Sequence, residues 1–214
     1  MTCRYNAGMD LSAASPTDDK GIDTRSSPSL RRSILTGAIG FSLTSLVVFG
    51  TVAFAQVWMY QHVGVTAAYL VWIALFILLG GGALSPLVAG NRTLMSFYAL
   101  FGAAFFLYGV AWMAAYFTLK LGAGEWLGSL AGSVAMATVF AAAFRVARKT
   151  LVFSAILFVA NSAGYFIGSF LYYSWGRPAG LAVWGAFYGA CLGAGLGAVL
   201  YLAQSKQTSA ASTQ

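Results

Sequence analysis

Six long runs of apolar residues fill the chain between its polar ends, and they constrain its fold more than any other feature. Each run has more than twenty residues, which lets a helix cross a hydrocarbon layer of about 30 Å. Lipid offers the backbone no hydrogen-bond partners, so runs of this length predict helices rather than strands. The sequence therefore predicts an all-α integral membrane protein, a bundle of six transmembrane helices. The predicted helices cover residues 34–60, 66–89, 93–118, 124–146, 151–174 and 181–203.

The composition supports the same class of protein. Of the 214 residues, 59% are hydrophobic and 8% are charged, whereas about a quarter of the residues in a soluble domain are charged. Because so few charges cannot cover a water-facing surface, most of this chain is expected to face lipid. Residues 1–32 and 205–214 are rich in small and polar side chains, and both segments are predicted to be disordered tails.

The stretch over residues 27–56 can be interpreted in two ways. Arg31-Arg32 before an apolar run resembles a twin-arginine export signal, and the AFA sequence over residues 53–55 has the small-x-small pattern of a signal-peptidase site. The apolar run is longer than the roughly 7–15 residues of a secretory signal, and it continues beyond Ala55. We therefore expect an uncut first helix, with cleavage after Ala55 as the alternative.

Basic residues are distributed unevenly between the two sides of the predicted bundle. With the N-terminus inside, ten basic residues lie in inner segments and two in outer loops, which satisfies the positive-inside rule. Both termini are therefore predicted to be cytoplasmic, in a bacterial-type inner membrane. The outer pair is Lys120 and Arg177, and the inner ten are Arg4, Lys20, Arg25, Arg31, Arg32, Arg92, Arg145, Arg148, Lys149 and Lys206.

The scarcity of polar side chains argues against several kinds of function. The chain has one histidine, His62, and two cysteines, Cys3 in the polar tail and Cys191 in an apolar run. We therefore expect no disulfide, no metal site, no cofactor and no catalysis. The basic residues lie between apolar runs rather than on one face, so no nucleic acid partner is expected. The composition implies one partner, the lipid bilayer.

Aromatic residues are concentrated in the outer half of the predicted bundle, where all six tryptophans fall. The simpler explanation is an aromatic belt at one membrane interface. The alternative is an outward-facing aromatic vestibule that binds a ligand, because rings with polar tips suit a cavity that is both apolar and hydrogen-bonding. The candidate ligand-binding residues are Tyr69, Trp72, Tyr108, Trp112, Glu125 and Asn161.

Glu125 and Asn161 are the polar members of that set. Glu125 is the only acidic residue outside the N-terminal tail. It can stabilise a helix N-terminus and pair with Lys120 or Arg177, or it can hold a ligand or proton, since ionisable groups near a membrane are functional candidates. Asn161 lies in mid-span, where it can join helices by hydrogen bonds or coordinate a solute.

Glycines recur every four residues on three predicted helices, and residues so spaced share one face of a helix. Such a face lets another backbone approach closely, as in the GxxxG pattern. We expect the fourth and sixth helices to cross closely inside one chain, and a seam between identical subunits is the alternative. The glycines are Gly124, Gly128 and Gly132, then Gly164 and Gly168, then Gly185, Gly189, Gly193 and Gly197.

Two functional hypotheses follow from these patterns. The first is the binding or passage of a small, weakly charged solute through the outward vestibule, with Glu125 supplying the charge. The second is a non-catalytic scaffold or assembly subunit of a larger membrane complex, packed through its glycine faces. The second hypothesis also accounts for the small number of polar groups.

Overall fold

The computed structural model describes residues 29–88, 93–119 and 121–211, and it describes side chains within these ranges except at 121 and 206–211. Most of the predicted N-terminal tail, including Cys3, lies outside these ranges. So do Arg92 and Lys120, which the sequence places in two of the connections between helices.

Six helices in the described part of the chain are each long and apolar enough to cross a membrane. The predicted all-helical class is confirmed, with six helices that have the length and apolar composition needed to span a membrane. The helices are α1 (Leu30–His62), α2 (Val65–Leu84), α3 (Leu94–Leu119), α4 (Leu121–Ala143), α5 (Thr150–Trp175) and α6 (Ala179–Ala211). Short 3-10 turns follow α2 at Ser85–Leu87 and precede α5 at Ala147–Lys149.

Local sequence explains three of the helix boundaries. Ser29 caps the first turn of α1, because its hydroxyl accepts a hydrogen bond from the Arg32 amide at 3.3 Å. α2 ends at Leu84, earlier than predicted, because Pro86 has no backbone N–H with which to continue the α-helical hydrogen bonds, and a 3-10 turn follows. α6 continues to Ala211, so most of the predicted C-terminal tail is helical; its alanines, lysine and glutamine are good helix formers.

The helices follow one another around the bundle. Each packs against the helix before it, and α6 returns to lie against α1, which closes the ring. We call the end with the α4–α5 connection the Lys149 end, and the opposite end, with the α5–α6 connection, the Arg177 end. Every helix exposes large apolar side chains on the outside of the bundle, as a lipid-facing surface requires.

The closest helix pair is α1 with α6, which run antiparallel and meet through the α6 glycines. A Cβ atom added at Gly189 would lie 2.5 Å from the Phe41 carbonyl oxygen, and Gly193 contacts Gly37 backbone to backbone. Only glycine permits an approach this close. From the Arg177 end to the Lys149 end, the facing pairs are Gly185 with Phe49, Gly189 with Phe41, Gly193 with Gly37 and Gly197 with Ser33.

The glycine faces of α4 and α5 have different partners. A Cβ atom at Gly128 would lie 3.0 Å from the Trp112 carbonyl oxygen of α3, and one at Gly164 would lie 3.0 Å from the Tyr188 Cα of α6. The predicted close crossing of the fourth and sixth helices is therefore wrong, because α5 lies between them in the ring. The other glycines of these faces are Gly124 and Gly132, which lie against Tyr116 and Tyr108, and Gly168, which lies against Trp184.

A phenylalanine core fills the interior between α1, α3 and α4. Phe41, Phe101 and Phe140 have no exposed surface. The ring centroids of Phe41 and Phe101 lie 6.2 Å apart, within the range of favourable aromatic pairs. We define this core as Phe41, Phe97, Phe101, Phe105 and Phe140.

Side chains fasten the helices together at the Lys149 end. The Lys149 ammonium donates a hydrogen bond to the Leu202 carbonyl of α6. The Gln204 amide of α6 donates to the Leu87 carbonyl at 3.0 Å, which ties α6 to the turn after α2. The Leu87 carbonyl lies at the end of its 3-10 turn, where a carbonyl lacks a partner within its own helix.

The substitution Gly193→Ala tests the contact between α1 and α6. The added methyl group overlaps the Gly37 backbone, so we expect the free energy of unfolding to fall by about 1–3 kcal/mol. Gly50→Ala is the matched control, because a Cβ atom at Gly50 has no neighbour within 4 Å. The measurement is helicity during unfolding in sodium dodecyl sulfate. Equal stability of the two variants would contradict the packing.

The same contact predicts that α1 is retained in the membrane protein. Removal of residues 1–55 would expose the glycine face of α6 to lipid, so we expect the purified protein to have an intact mass near 22.5 kDa. Replacing both Arg31 and Arg32 by lysine should leave membrane insertion unchanged, because the positive-inside rule counts the two residue types alike. A mass that lacks the first 55 residues would show that a signal had been cut.

Candidate functional site

Four helices each place two polar or aromatic residues, four positions apart, on the face that points into the bundle. Residues at i and i+4 lie one above the other on a helix, so the eight side chains form two layers. The deeper layer contains Tyr108, Ser129, Asn161 and Tyr188; the layer nearer the Arg177 end contains Trp112, Glu125, Tyr165 and Trp184.

The deeper layer is a network of hydrogen bonds around Asn161, which is fully buried. The Tyr108 hydroxyl donates to Asn161 Oδ1 at 2.6 Å, and the Asn161 amide nitrogen donates to Ser129 Oγ at 2.6 Å. The hydroxyl oxygens of Tyr108 and Tyr188 lie 3.2 Å apart, and those of Ser129 and Ser162 lie 2.8 Å apart. We call these five residues the polar layer.

The polar layer joins α3, α4, α5 and α6 in one network. Tyr108 already donates its proton to Asn161, so the bond with Tyr188 has the Tyr188 hydroxyl as its donor. Polar atoms in a lipid-surrounded interior are costly unless they are paired, and each hydroxyl of this layer has a partner. The layer therefore fixes how the four helices are rotated relative to one another.

The outer layer surrounds one carboxylate with aromatic rings. Tyr165 is its centre: the Tyr165 hydroxyl donates to Glu125 Oε1 at 3.3 Å, and the Tyr165 ring lies 5.9 Å from Trp112 and 5.6 Å from Trp184 between centroids. Trp112 also stacks on Tyr116, with centroids 5.0 Å apart and planes 12° from parallel. We call Trp112, Tyr116, Glu125, Tyr165 and Trp184 the aromatic layer.

Glu125 has no cationic partner among the described residues. Its carboxylate is half-buried, and its recorded hydrogen bond comes from a neutral hydroxyl. Arg177, one of the two cations predicted to pair with it, donates to Gln56 Oε1 at 2.7 Å instead. The other, Lys120, lies outside the described residues. The described surroundings of Glu125 are therefore aromatic rather than ionic.

Trp184 is fixed in place by its neighbours rather than by hydrogen bonds. Its ring lies against Gly168 of α5 and 5.5 Å from the Phe49 ring of α1. Its indole nitrogen is buried and has no hydrogen-bond partner within the described ranges. Trp184 therefore connects the aromatic layer to the contact between α1 and α6.

Two of the six predicted ligand-binding residues pack against α1 instead of joining the contacts that define the two layers. Trp72 is 6% exposed and packs between α1 and α2, with the Tyr60 ring 6.0 Å away. Tyr69 is half-exposed and stacks on Tyr60 at 6.5 Å. The structure brings Tyr108, Trp112, Glu125 and Asn161 together, whereas α2 directs Trp72 and Tyr69 towards α1.

Sequence analysis did not single out several residues of the two layers, although a usable signal was present. Each of α3 to α6 carries polar or aromatic pairs at i and i+4, and such a pair marks one face of its helix. Which of these faces meet inside the bundle depends on how the helices pack. The residues missed as site candidates are Tyr116, Ser129, Ser162, Tyr165, Trp184 and Tyr188.

The phenylalanine core borders the polar layer on its Lys149 side. The Phe105 ring lies 5.9 Å from the Tyr108 ring, and Phe105 stacks in turn against Phe101 at 5.8 Å. One turn beyond Ser129, the buried Ser133 hydroxyl has no hydrogen-bond partner in the described chain. The polar side chains of the two layers therefore end at the phenylalanine core and do not continue to the Lys149 end.

The described side chains contain no group of three or more histidine, cysteine, aspartate or glutamate residues that could hold a metal ion. What the two layers offer is one carboxylate, several aromatic faces and a set of paired hydroxyl and amide groups. This chemistry is suited to recognition of a small molecule by charge and by ring contacts.

The substitution Tyr108→Phe tests the polar layer. It leaves Asn161 Oδ1 without its donor and the Tyr188 hydroxyl without its acceptor, so we expect a loss of about 1–2 kcal/mol in the free energy of unfolding. Tyr173→Phe is the control, because the Tyr173 side chain is 81% exposed. Unfolding in sodium dodecyl sulfate measures both. Equal effects of the two substitutions would mean that the network does not stabilise the bundle.

Comparison with known proteins gives no relative from which a role could be carried over. No model of a known protein family matches this chain, and neither a curated protein nor a solved structure matches it. The two layers are therefore interpreted from their own geometry.

Proposed function

We propose that this multi-pass protein of a bacterial-type inner membrane binds a small, weakly charged solute at the aromatic layer, reached from the Arg177 end. One observation carries the proposal. Glu125 is a half-buried carboxylate that accepts a hydrogen bond from the Tyr165 hydroxyl, and the Tyr165 ring contacts Trp112, which in turn stacks on Tyr116.

Placing a carboxylate in this position costs free energy of folding, and a purely structural role does not explain that cost. Ionisable groups close to the hydrocarbon region are expensive, and where they occur they are functional candidates. A helix N-terminal charge is the structural alternative, but α4 begins at Leu121, and Glu125 lies one turn inside the helix. Its hydrogen bond with the Tyr165 hydroxyl, inside the aromatic layer, favours a ligand role.

The proposed orientation places the Arg177 end outside the cell and both chain termini in the cytoplasm. Four exposed arginines lie at the Lys149 end, at the start of α1 and in the α4–α5 connection, and basic residues favour the cytoplasmic side. The described part of the Arg177 end has one arginine, Arg177. The four arginines are Arg31, Arg32, Arg145 and Arg148.

The geometry favours binding over an open path through the bundle. Below the aromatic layer, the hydroxyl and amide groups of the polar layer bond to one another. Below that, the phenylalanine core fills the interior. The interior below the aromatic layer is therefore filled by side chains. Passage of a solute from the Arg177 end would require the helices to rearrange.

The scaffold hypothesis loses one of its two arguments. It relied on glycine faces available for a partner subunit, but α6 uses its glycines against α1, α4 against α3, and α5 against α6. Its remaining argument is the small number of polar groups. We therefore favour the ligand-binding proposal.

Thermal unfolding of the purified protein tests this function. The test panel contains small amines, amino acids, carboxylates and sugars. We expect at least one class to stabilise the protein, because a ligand at a hundred times its Kd adds about 2.7 kcal/mol. The stabilisation should be lost in Glu125→Gln, whose side chain keeps its shape but not its charge.

The unliganded Glu125→Gln variant should keep the helicity and the elution volume of the unmodified protein. Stabilisation of the variant by the same ligand to the same extent would remove Glu125 from the site. A panel in which no compound stabilises the unmodified protein would overturn the proposed function.

A further inference from the structure

We propose that the solute is an organic cation, an alkylammonium compound whose charged head lies at the Glu125 carboxylate and against the rings of the aromatic layer. This inference rests on the proposed function and names the ligand class of the same site. Three features of the aromatic layer support it: the sign of its charge, the kind of surface around that charge and the number of oxygen ligands.

The sign of the charge selects a cation. Glu125 is the only acidic residue from residue 24 to the end of the chain, and within the described ranges it has no ion-pair partner. Arg177 is bonded to Gln56 at 2.7 Å, and the His62 ring is stacked on Trp58 and bonded to the Trp58 carbonyl. An anionic ligand would meet repulsion at this carboxylate, and a cation would neutralise it.

The surface around the charge selects an organic cation. The face of an aromatic ring attracts a cation within about 6 Å, most strongly for tryptophan. Trp112 and Tyr116 are half-buried and stacked with nearly parallel planes, so the second face of each ring is turned away from the other ring. Tyr165 contacts both Trp112 and Glu125, so it links the carboxylate to this aromatic pair. Alkyl groups on an ammonium head would pack against these rings without losing hydrogen bonds to water.

The number of oxygen ligands disfavours a bare metal ion. Ca²⁺ takes six to eight oxygen ligands, and Mg²⁺ six in a near-ideal octahedron. The described side chains of the aromatic layer supply one carboxylate and the hydroxyls of Tyr116 and Tyr165, and no group of metal-binding residues is found among the described side chains. One carboxylate beside aromatic rings matches an ammonium head better than a hydrated ion.

The test compares three probes of nearly equal shape and different charge. They are choline, the uncharged alcohol in which a tert-butyl group replaces the trimethylammonium head, and the corresponding tert-butyl carboxylate. Titration calorimetry on the full-length protein in detergent gives the Kd of each. We expect choline to bind at least about tenfold more tightly than the uncharged alcohol, and the carboxylate to bind most weakly.

Two substitutions and one matched control assign the preference to the site. Glu125→Gln should bring the Kd of choline close to that of the uncharged alcohol, and Trp112→Leu should weaken choline more than the alcohol. Trp126→Leu should change neither, because Trp126 stacks on Phe166 at 4.2 Å, on the outer side of α4 and α5, and is half-exposed. Helicity and elution volume identify any variant that does not fold.

The outcomes separate this inference from the proposed function. Equal binding of choline and the uncharged alcohol, or tighter binding of the carboxylate, would overturn the assignment to organic cations. If neither choline nor an amine binds but a carboxylate or sugar of the thermal panel does, the inference fails and the proposed function stands. If neither choline nor any panel compound binds, both fail. A choline preference that survives Glu125→Gln would place the cation elsewhere.

Discussion

The contact between α1 and α6 is the interaction on which the rest of the bundle depends. In this ring of six helices, α1 meets α6 through close backbone contacts at the α6 glycines and through a hydrogen bond from the Ser42 hydroxyl to the Ala186 carbonyl at 2.8 Å. Apolar side chains provide no hydrophobic driving force between helices in lipid, so close packing of small residues has to hold such a pair together. Phe49 of α1 then contacts Trp184, and the closure reaches the aromatic layer directly.

The two layers show how a chain with few polar groups can still form a defined site. Each of four helices contributes a pair of side chains one turn apart, and the hydrogen bonds of the deeper pairs set the rotation of the helices. The same rotation orients the outer member of each pair, because both members belong to one rigid helix. The hydrogen bonds of the polar layer therefore help to position Glu125, although Glu125 is not part of that layer. Removing its charge should change binding far more than folding.

The fold was largely predictable from sequence, and the site only in part. Length and hydropathy identify the six helices, because lipid leaves no other spanning structure for such runs. The pairing of glycine faces was not predictable, since Gly189 and Gly193 fit any backbone that comes close enough. Tyr108, Trp112, Glu125 and Asn161 were found as candidates and lie together, whereas Trp72 and Tyr69 pack against α1. Which helices are neighbours depends on long-range packing, which residue type alone does not encode.

The position of the ring closure has a consequence for how the protein is made. Helices enter a membrane in the order of their synthesis, so α1 is in place long before α6 has been translated. During that interval Gly37 and Ser33 lack their α6 partners, and the interior is not yet enclosed. Contacts between segments far apart in the chain form late and leave intermediates exposed. Biogenesis of this bundle therefore has a vulnerable period that ends only when α6 packs against α1.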